Sequence, residues 1–260
     1  IGRKEPENGC RATAQLINFT FLFSICIMLV GYLGRDLILH GIFGKIEEDV
    51  MYNSTVYLMI VLASIPLIAL YNAGAAIFRS MGNSRIAMNT SLLMNAINVS
   101  GNALLIFVFH RGVEGVAIPT LVSRGVACAV MLFLLNNQKH ILHLPHPYPF
   151  RLDLSLLKKI LYIGIPNGLE NSMFQLGKIV VLSLVAGYGT ASLAANAVCN
   201  NVATFAVLPG TSMGFAVLTV TAQCVGAGDF EQVKYYTKRL LFAAYGCLIV
   251  MNILVLLAMP

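Results

Sequence analysis

The chain has 260 residues, of which 58% are apolar and only 11% charged, and its mean hydropathy is +0.79. A soluble domain carries about a quarter charged residues, so composition excludes an ordinary soluble enzyme, a nucleic-acid-binding module and a disordered chain. The formal net charge of +6 is no nucleic-acid footprint, because the basic residues are strung between apolar runs and form no patch.

A membrane-spanning helix needs about 20 mostly apolar residues. Seven runs meet that length, at about 12–33, 52–77, 86–109, 113–135, 160–186, 193–222 and 235–259. Turn residues or charges separate them: Gly34-Arg35-Asp36, the stretch 79–84, His110-Arg111-Gly112, the polar loop 136–159, Gly187-Tyr188-Gly189 and the stretch 226–234. None alternates apolar and polar residues as a barrel strand does. The predicted class is therefore all-α, a polytopic membrane helical bundle of about seven transmembrane helices. The six cysteines contain no C-x-x-C pair, and several lie inside apolar runs, which points to free thiols.

Orientation follows from the basic residues. Most of the 17 Lys and Arg fall in alternate segments: the N-terminal stretch, 79–85, 139–159 and 234–239. The opposite segments hold Arg35, Lys45 and Arg111, together with the acids Asp36, Glu47, Glu48 and Asp49. The positive-inside rule makes the first set cytoplasmic. Two basic residues, Arg124 and Lys178, remain inside spans. The chain starts with Ile and ends at Pro260 as its last span closes, and it is expected to be an internal fragment with no signal peptide.

A weak repeat supports a two-part plan. Laid beside 225–239, the stretch 1–15 matches Gly2 with Gly226, Glu7 with Glu231 and Thr13 with Thr237. Both stretches are expected on the cytoplasmic side and both lead into a span. An even number of spans separates them, so both copies cross in the same sense, as in transporters built from parallel halves. The expected organisation is 1–135 as the last four helices of an N-terminal lobe, 136–159 as the cytoplasmic linker and 160–260 as the first three helices of a C-terminal lobe.

Polar residues inside the spans are the candidate functional groups. Asn167, Asn171, Gln175 and Lys178 recur at helical spacing, with Glu170 on the edge of the same face. An intramembrane charge costs about 2.5–3.5 kcal/mol on insertion scales, so this face is predicted to line a wet cavity or substrate path; hydrogen bonding between helices is the alternative. Glu170 is the one acid read as lying within a span. Poor solvation would raise its pKa and suit it to proton exchange, and its ionised form would suit Na⁺. A structural ion pair with Lys178 or Arg124 is the rival reading. Ser91, Asn95, Asn98 and Asn102 form a second stripe, able to supply donors and acceptors without charge. Asn196, Asn200 and Thr204 form a shorter one.

Pro66, Pro119, Pro166 and Pro209 lie in or near apolar runs, where each removes a backbone donor. Pro209-Gly210 is the strongest hinge candidate, and Pro166 stands just before Glu170. His140, His143 and His146 lack companion ligands and sit among prolines, so a solvated linker is expected there in preference to a metal site. No P-loop, nucleophile elbow or His-Glu-x-x-His helix occurs. No enzyme is predicted.

Seven motifs, in order, resemble the multidrug and toxic compound extrusion (MATE) family. Ile1-Gly2-Arg3-Lys4 is similar to the turn before the family's third helix, and the stretch from Phe78 to Ser84 to the turn after its fourth. Asn98 and Asn102 stand where the fifth helix carries polar residues. The stretch from Gly112 to Thr120 resembles the entry to the sixth, the stretch from Gly164 to Glu170 the start of the seventh, and Leu208-Pro209-Gly210 and the stretch from Gln223 to Gly228 the eighth helix and its following turn. Many members carry an acid where this chain has Asn102, and an acid on the seventh helix nearer Gln175 than Glu170.

The resemblance implies a twelve-helix, two-lobe exporter of the bacterial inner membrane, monomeric when complete. It would expel small organic cations or amphipathic compounds in exchange for Na⁺ or H⁺ by alternating access, with no cofactor beyond the coupling ion. Glu170, Asn171, Gln175, Lys178, Asn98, Asn102 and Arg124 are the candidate ion-coupling or substrate-binding residues, and Pro166, Pro209 and Gly210 the candidate hinges. The alternatives are a flippase of lipid-linked oligosaccharides with the same fold, and a membrane scaffold whose polar stripes only pack against partners.

Overall fold

The computed structural model describes residues 5–37, 39, 48–145 and 153–258. The first motif, Ile1-Gly2-Arg3-Lys4, and residues Lys45, Glu47, His146 and Arg151 lie outside the described residues. Seven long helices run through the rest: α1 (Pro6–Leu33), α2 (Glu48–Ser80), α3 (Ser84–Ala103), α4 (Glu114–Leu135), α5 (Leu154–Ala186), α6 (Thr190–Ala227) and α7 (Phe230–Ala258). No strand occurs among the described residues. In a bilayer each backbone donor and acceptor must be satisfied within its own segment, and a helix does this.

Six of these segments are long and apolar enough to cross a membrane: Pro6–Leu33, Met51–Ser80, Ser84–Val108, Glu114–Leu135, Ala191–Ala227 and Phe230–Leu257. The chain is a multi-pass membrane protein. Helix α5, at 33 residues, has the length but falls outside that set. Its lysines and the polar residues between Asn167 and Lys178 interrupt the apolar run that the sequence places there.

The described residues form two compact units, Glu5–Leu157 and the residues from Lys158 onward. In the first, α2 packs against α1 and α4, and α4 also packs against α3. Its centre is Phe78, Met131 and Leu135, all fully buried, beside Ala75 and Ala127. Small residues let membrane helices approach closely, so that dispersion contacts hold them where lipid supplies no hydrophobic drive. In the second unit α6 packs against α7. Helix α5 packs on neither of them, and its side chains from Ile163 to Leu184 are exposed.

Local chemistry sets the helix ends. The Asp229 carboxylate accepts the Gln232 backbone N–H at 3.0 Å, and Asp153 accepts those of Ser155 and Leu156 at 2.9 and 3.4 Å; both relieve donors left over in a first turn. Gly228, at φ 78°, ends α6 in the left-handed conformation that glycine adopts without strain. Beyond α3 the helix widens into a π-turn over Leu104–Val108, a local irregularity often found at functional sites.

Candidate functional site

The polar stripe on α3 divides once the helices are packed. Asn98 Nδ2 donates to Thr120 Oγ1 on α4 at 3.1 Å, and Asn102 Nδ2 donates to Asn98 Oδ1 at 3.2 Å. Thr120 in turn donates to the Val116 carbonyl at 2.9 Å. Asn95 is exposed and makes no such contact among the described residues. One atom of the cluster is left over: Asn102 Oδ1 is buried and accepts no hydrogen bond among the described residues. An unsatisfied buried acceptor costs about 1–3 kcal/mol, so a site that keeps one is poised for a donor or a cation.

Backbone geometry builds this cluster. A Cβ placed on Gly101 would lie 2.8 Å from the Pro119 Cβ, closer than carbon atoms approach, so the glycine lets α3 rest directly on α4. Pro119 has no N–H to offer the Gly115 carbonyl, which loses its ordinary intrahelical partner. Neutral oxygens gather in this network, those of the Asn102 amide and the Thr120 hydroxyl. They are ligands of the hard-cation type and equally acceptors for an ammonium or hydroxyl group. Periodicity along the chain does not single out Thr120 as a site residue, because its role depends on packing between helices; its place beside Pro119 is the available signal.

Arg124 lies about one helical turn beyond Thr120 on α4. Its guanidinium donates to the hydroxyl of Ser64 on α2, and Ser64, fully buried, donates to the Val61 carbonyl at 2.7 Å. Within its unit the charge is held by a hydroxyl, with no carboxylate against it among the described residues.

The α5 residues lie along one exposed helix. Asn171 Nδ2 donates to both the backbone carbonyl and Oδ1 of Asn167 at 2.9 Å. Lys178 Nζ stands 4.9 Å from the centre of the Phe174 ring, a cation–π geometry. Glu170 and Gln175 are exposed, and the ion pairs among the described residues do not include one between Glu170 and Lys178. Phe174 is the neighbour that Lys178 takes in place of that carboxylate.

Helix α6 runs unbroken through Pro209. The hydroxyls of Thr211 and Ser212 both donate to the Leu208 carbonyl at 2.9 Å, a back-bonding pattern that favours bending. Gly210 faces Leu248 of α7, and a Cβ placed on the glycine would stand 3.4 Å from the leucine methyls, an ordinary contact. Pro166 likewise sits inside an unbroken α5.

Residues 136–139 and Ile141 are exposed, and the segment departs from the expected solvated linker at Leu142 and its neighbours. Leu142 is buried, and its backbone N–H meets Met81 Sδ at 3.4 Å. Cys10 Sγ lies 3.7 Å from the Ile141 carbonyl and 3.8 Å from His143 Nδ1, while the His140 ring meets Phe78 edge-on with centroids 5.4 Å apart. The apolar Leu142 and Leu144 give this segment surface to bury, and it docks on the ends of α1 and α2. No cluster of metal-ligating side chains occurs among the described residues, and all six cysteines are free thiols.

Membrane-length helices carrying buried polar clusters define a polytopic α-helical membrane protein. Comparison with known proteins makes the class specific: the MatE family profile matches residues 1–104 and 166–260, and the chain belongs to that family. It is 29% identical over 239 residues to the probable multidrug resistance protein YoeA of Bacillus subtilis, covering 90% of this chain and 51% of that protein. It is 24% identical over 207 residues to the probable multidrug resistance protein NorM of Thermotoga maritima, covering 75% and 43%. The chain thus spans about half the length of these curated relatives. Its fold matches a MATE crystal structure in the bent conformation, with a TM-score of 0.83 at 20% identity over 95% of this chain and 55% of that one.

Proposed function

We propose that the chain is part of a secondary antiporter of a bacterial cell membrane, one that exports organic cations or amphipathic compounds in exchange for Na⁺ or H⁺. Its two units would be parts of two lobes, joined by the segment around 136–159, that open a central cavity to either side in turn. The relatives named as multidrug resistance proteins support the class of cargo. The observation that carries the reading in this chain is the buried, unpartnered Asn102 Oδ1 inside the Asn98–Thr120 network.

In this reading Asn98, Asn102 and Thr120 contact the coupling ion or the cargo within the first unit. On α5, Glu170, Asn171, Gln175 and Lys178 offer further contacts, with Glu170 exchanging a proton or binding a cation. Pro166, Pro209 and Gly210 absorb the bending. The test is efflux of a fluorescent organic cation from pump-deficient bacteria producing the complete protein, comparing native with Glu170→Gln and Asn102→Leu at matched membrane abundance. Efflux in the native protein and its loss in the variants support the reading, and jumps in Na⁺ or pH then identify the ion. Native-like efflux in both variants removes these residues from the mechanism.

Arg124 supports a second reading. A guanidinium within a span, held by the Ser64 hydroxyl, would suit the phosphate of a lipid-linked oligosaccharide. Absence of cation efflux, together with flipping of such a lipid in vesicles and its loss in Arg124→Gln, would favour a flippase.

A further inference from the structure

A groove of about 210 Å³ separates α3 from α4 at the end of the helices assigned to the cytoplasmic side. Ile86, Asn89, Thr90 and Leu93 line it from α3, and Val130 and Leu134 from α4. It stands apart from the Asn98–Thr120 cluster, toward the opposite end of α3. Its chemistry is graded along its length.

Two exposed cations flank the lining residues along the chain: Arg85, one residue before Ile86, and Lys139, just beyond the end of α4 that carries Leu134; neither side chain pairs with a carboxylate among the described residues. One helical turn deeper is Asn89, four residues beyond Arg85 on the same face and about 6 Å along the axis. Its exposed amide makes no hydrogen bond among the described residues. Thr90 is satisfied by the Ile86 carbonyl at 2.9 Å. Beyond that level the walls are Leu93, Val130 and Leu134, which are apolar.

Cations at the headgroup level, an amide in want of a partner at the level below, and an apolar floor follow the order of groups in a phospholipid: phosphate, ester, acyl chain. Basic pockets between helices on the cytoplasmic side attract anionic lipid headgroups, and an unpaired amide at membrane depth is costly enough to favour any occupant that bonds it. We propose that this groove holds one anionic phospholipid, its phosphate between Arg85 and Lys139, an ester oxygen accepting from Asn89, and one acyl chain against Leu93, Val130 and Leu134. The same cations disfavour a positively charged cargo, so the groove is a lipid site distinct from the transport path. It does not depend on the antiport reading.

The test uses the complete protein, purified in mild detergent and mixed with equal amounts of dioleoylphosphatidylglycerol and dioleoylphosphatidylcholine, with retained lipids counted by native mass spectrometry. The native protein should keep the glycerol lipid over the choline lipid by about tenfold. Arg85→Gln with Lys139→Gln should abolish that preference and leave the melting temperature in lipid-free detergent unchanged. Leu93→Trp, an exposed position where bulk fills only the groove, should lower retention of both lipids. Equal retention of the two lipids by the native protein overturns the proposal. So does a preference that survives the double neutralisation or the filled groove, and so does absence of any retained lipid, which would mean that another part of the protein covers the groove.

Discussion

Gly101 and Pro119 meet so closely that the space between α3 and α4 has no room for a methyl group: a Cβ on the glycine would stand 2.8 Å from that of the proline. Replacing Gly101 with Ala therefore sets two effects against each other. Alanine favours the helix by about 1 kcal/mol, whereas overpacking a tight contact costs about 1–3 kcal/mol. The second should win, because the neighbour is a rigid ring on a helix backbone and cannot swing aside. Thermal unfolding in detergent should show a lower melting temperature for Gly101→Ala, while Ser100→Ala, one residue away and exposed, should be neutral. An unchanged melting temperature in Gly101→Ala would mean that α3 and α4 are free to part.

That contact also positions Asn102. In Asn102→Leu the unpartnered oxygen disappears, and with it the one bond to Asn98. The two losses nearly cancel, so the change in stability should stay within about 1 kcal/mol. Transport should not be so tolerant. A hydrogen bond to a charged group is worth about 1.5–3 kcal/mol, so losing one to a cation or ammonium should cut efflux by about tenfold or more. The check is paired, melting temperature and efflux on the same preparation. Retained efflux with retained stability would make the asparagine a packing residue.

The spans are legible in the sequence because an apolar run of sufficient length has few other uses, and the turns because Gly, Asp and Arg mark them plainly. The division within the α3 stripe is not legible. Ser91, Asn95, Asn98 and Asn102 share a face by periodicity, yet only the last two join the Thr120 network, because Gly101 and Pro119 bring the helices together at that level. Nor does periodicity announce the π-turn at Leu104–Val108. The linker departs from its expected solvation for a related reason. Histidines and prolines suggest solvent, but the leucines between them decide where the segment goes.

On α5, Glu170 and Lys178 share a helix face without forming an ion pair, and Lys178 instead overlies Phe174 at 4.9 Å. Their contributions to stability should then be independent. In a double-mutant cycle of Glu170→Gln and Lys178→Gln, the coupling energy should fall below about 0.5 kcal/mol, and each substitution should lower efflux independently of the other. A coupling above that level would restore the ion pair as the reason for both charges and weaken the assignment of Glu170 to ion exchange.

Docking of the linker on α1 and α2 makes a local prediction. Leu142 is buried, and a Cβ on Gly9 would reach within 2.5 Å of its Cδ2, so the leucine fills the surface that the glycine leaves open. Leu142→Ala should remove about 2–3 kcal/mol of packing without touching any span. The segment 136–145 should then be cut faster by a protease of broad specificity added from the basic side in inside-out vesicles, and Gly9→Val should have the same effect by pushing the leucine out. The spans themselves should stay intact in both variants, since their packing centres on Phe78, Met131 and Leu135. If cleavage of this segment is already as fast in the native protein as in an unstructured peptide of the same sequence, the segment is not held on α1 and α2, and its contacts with Cys10 and Met81 contribute nothing to stability.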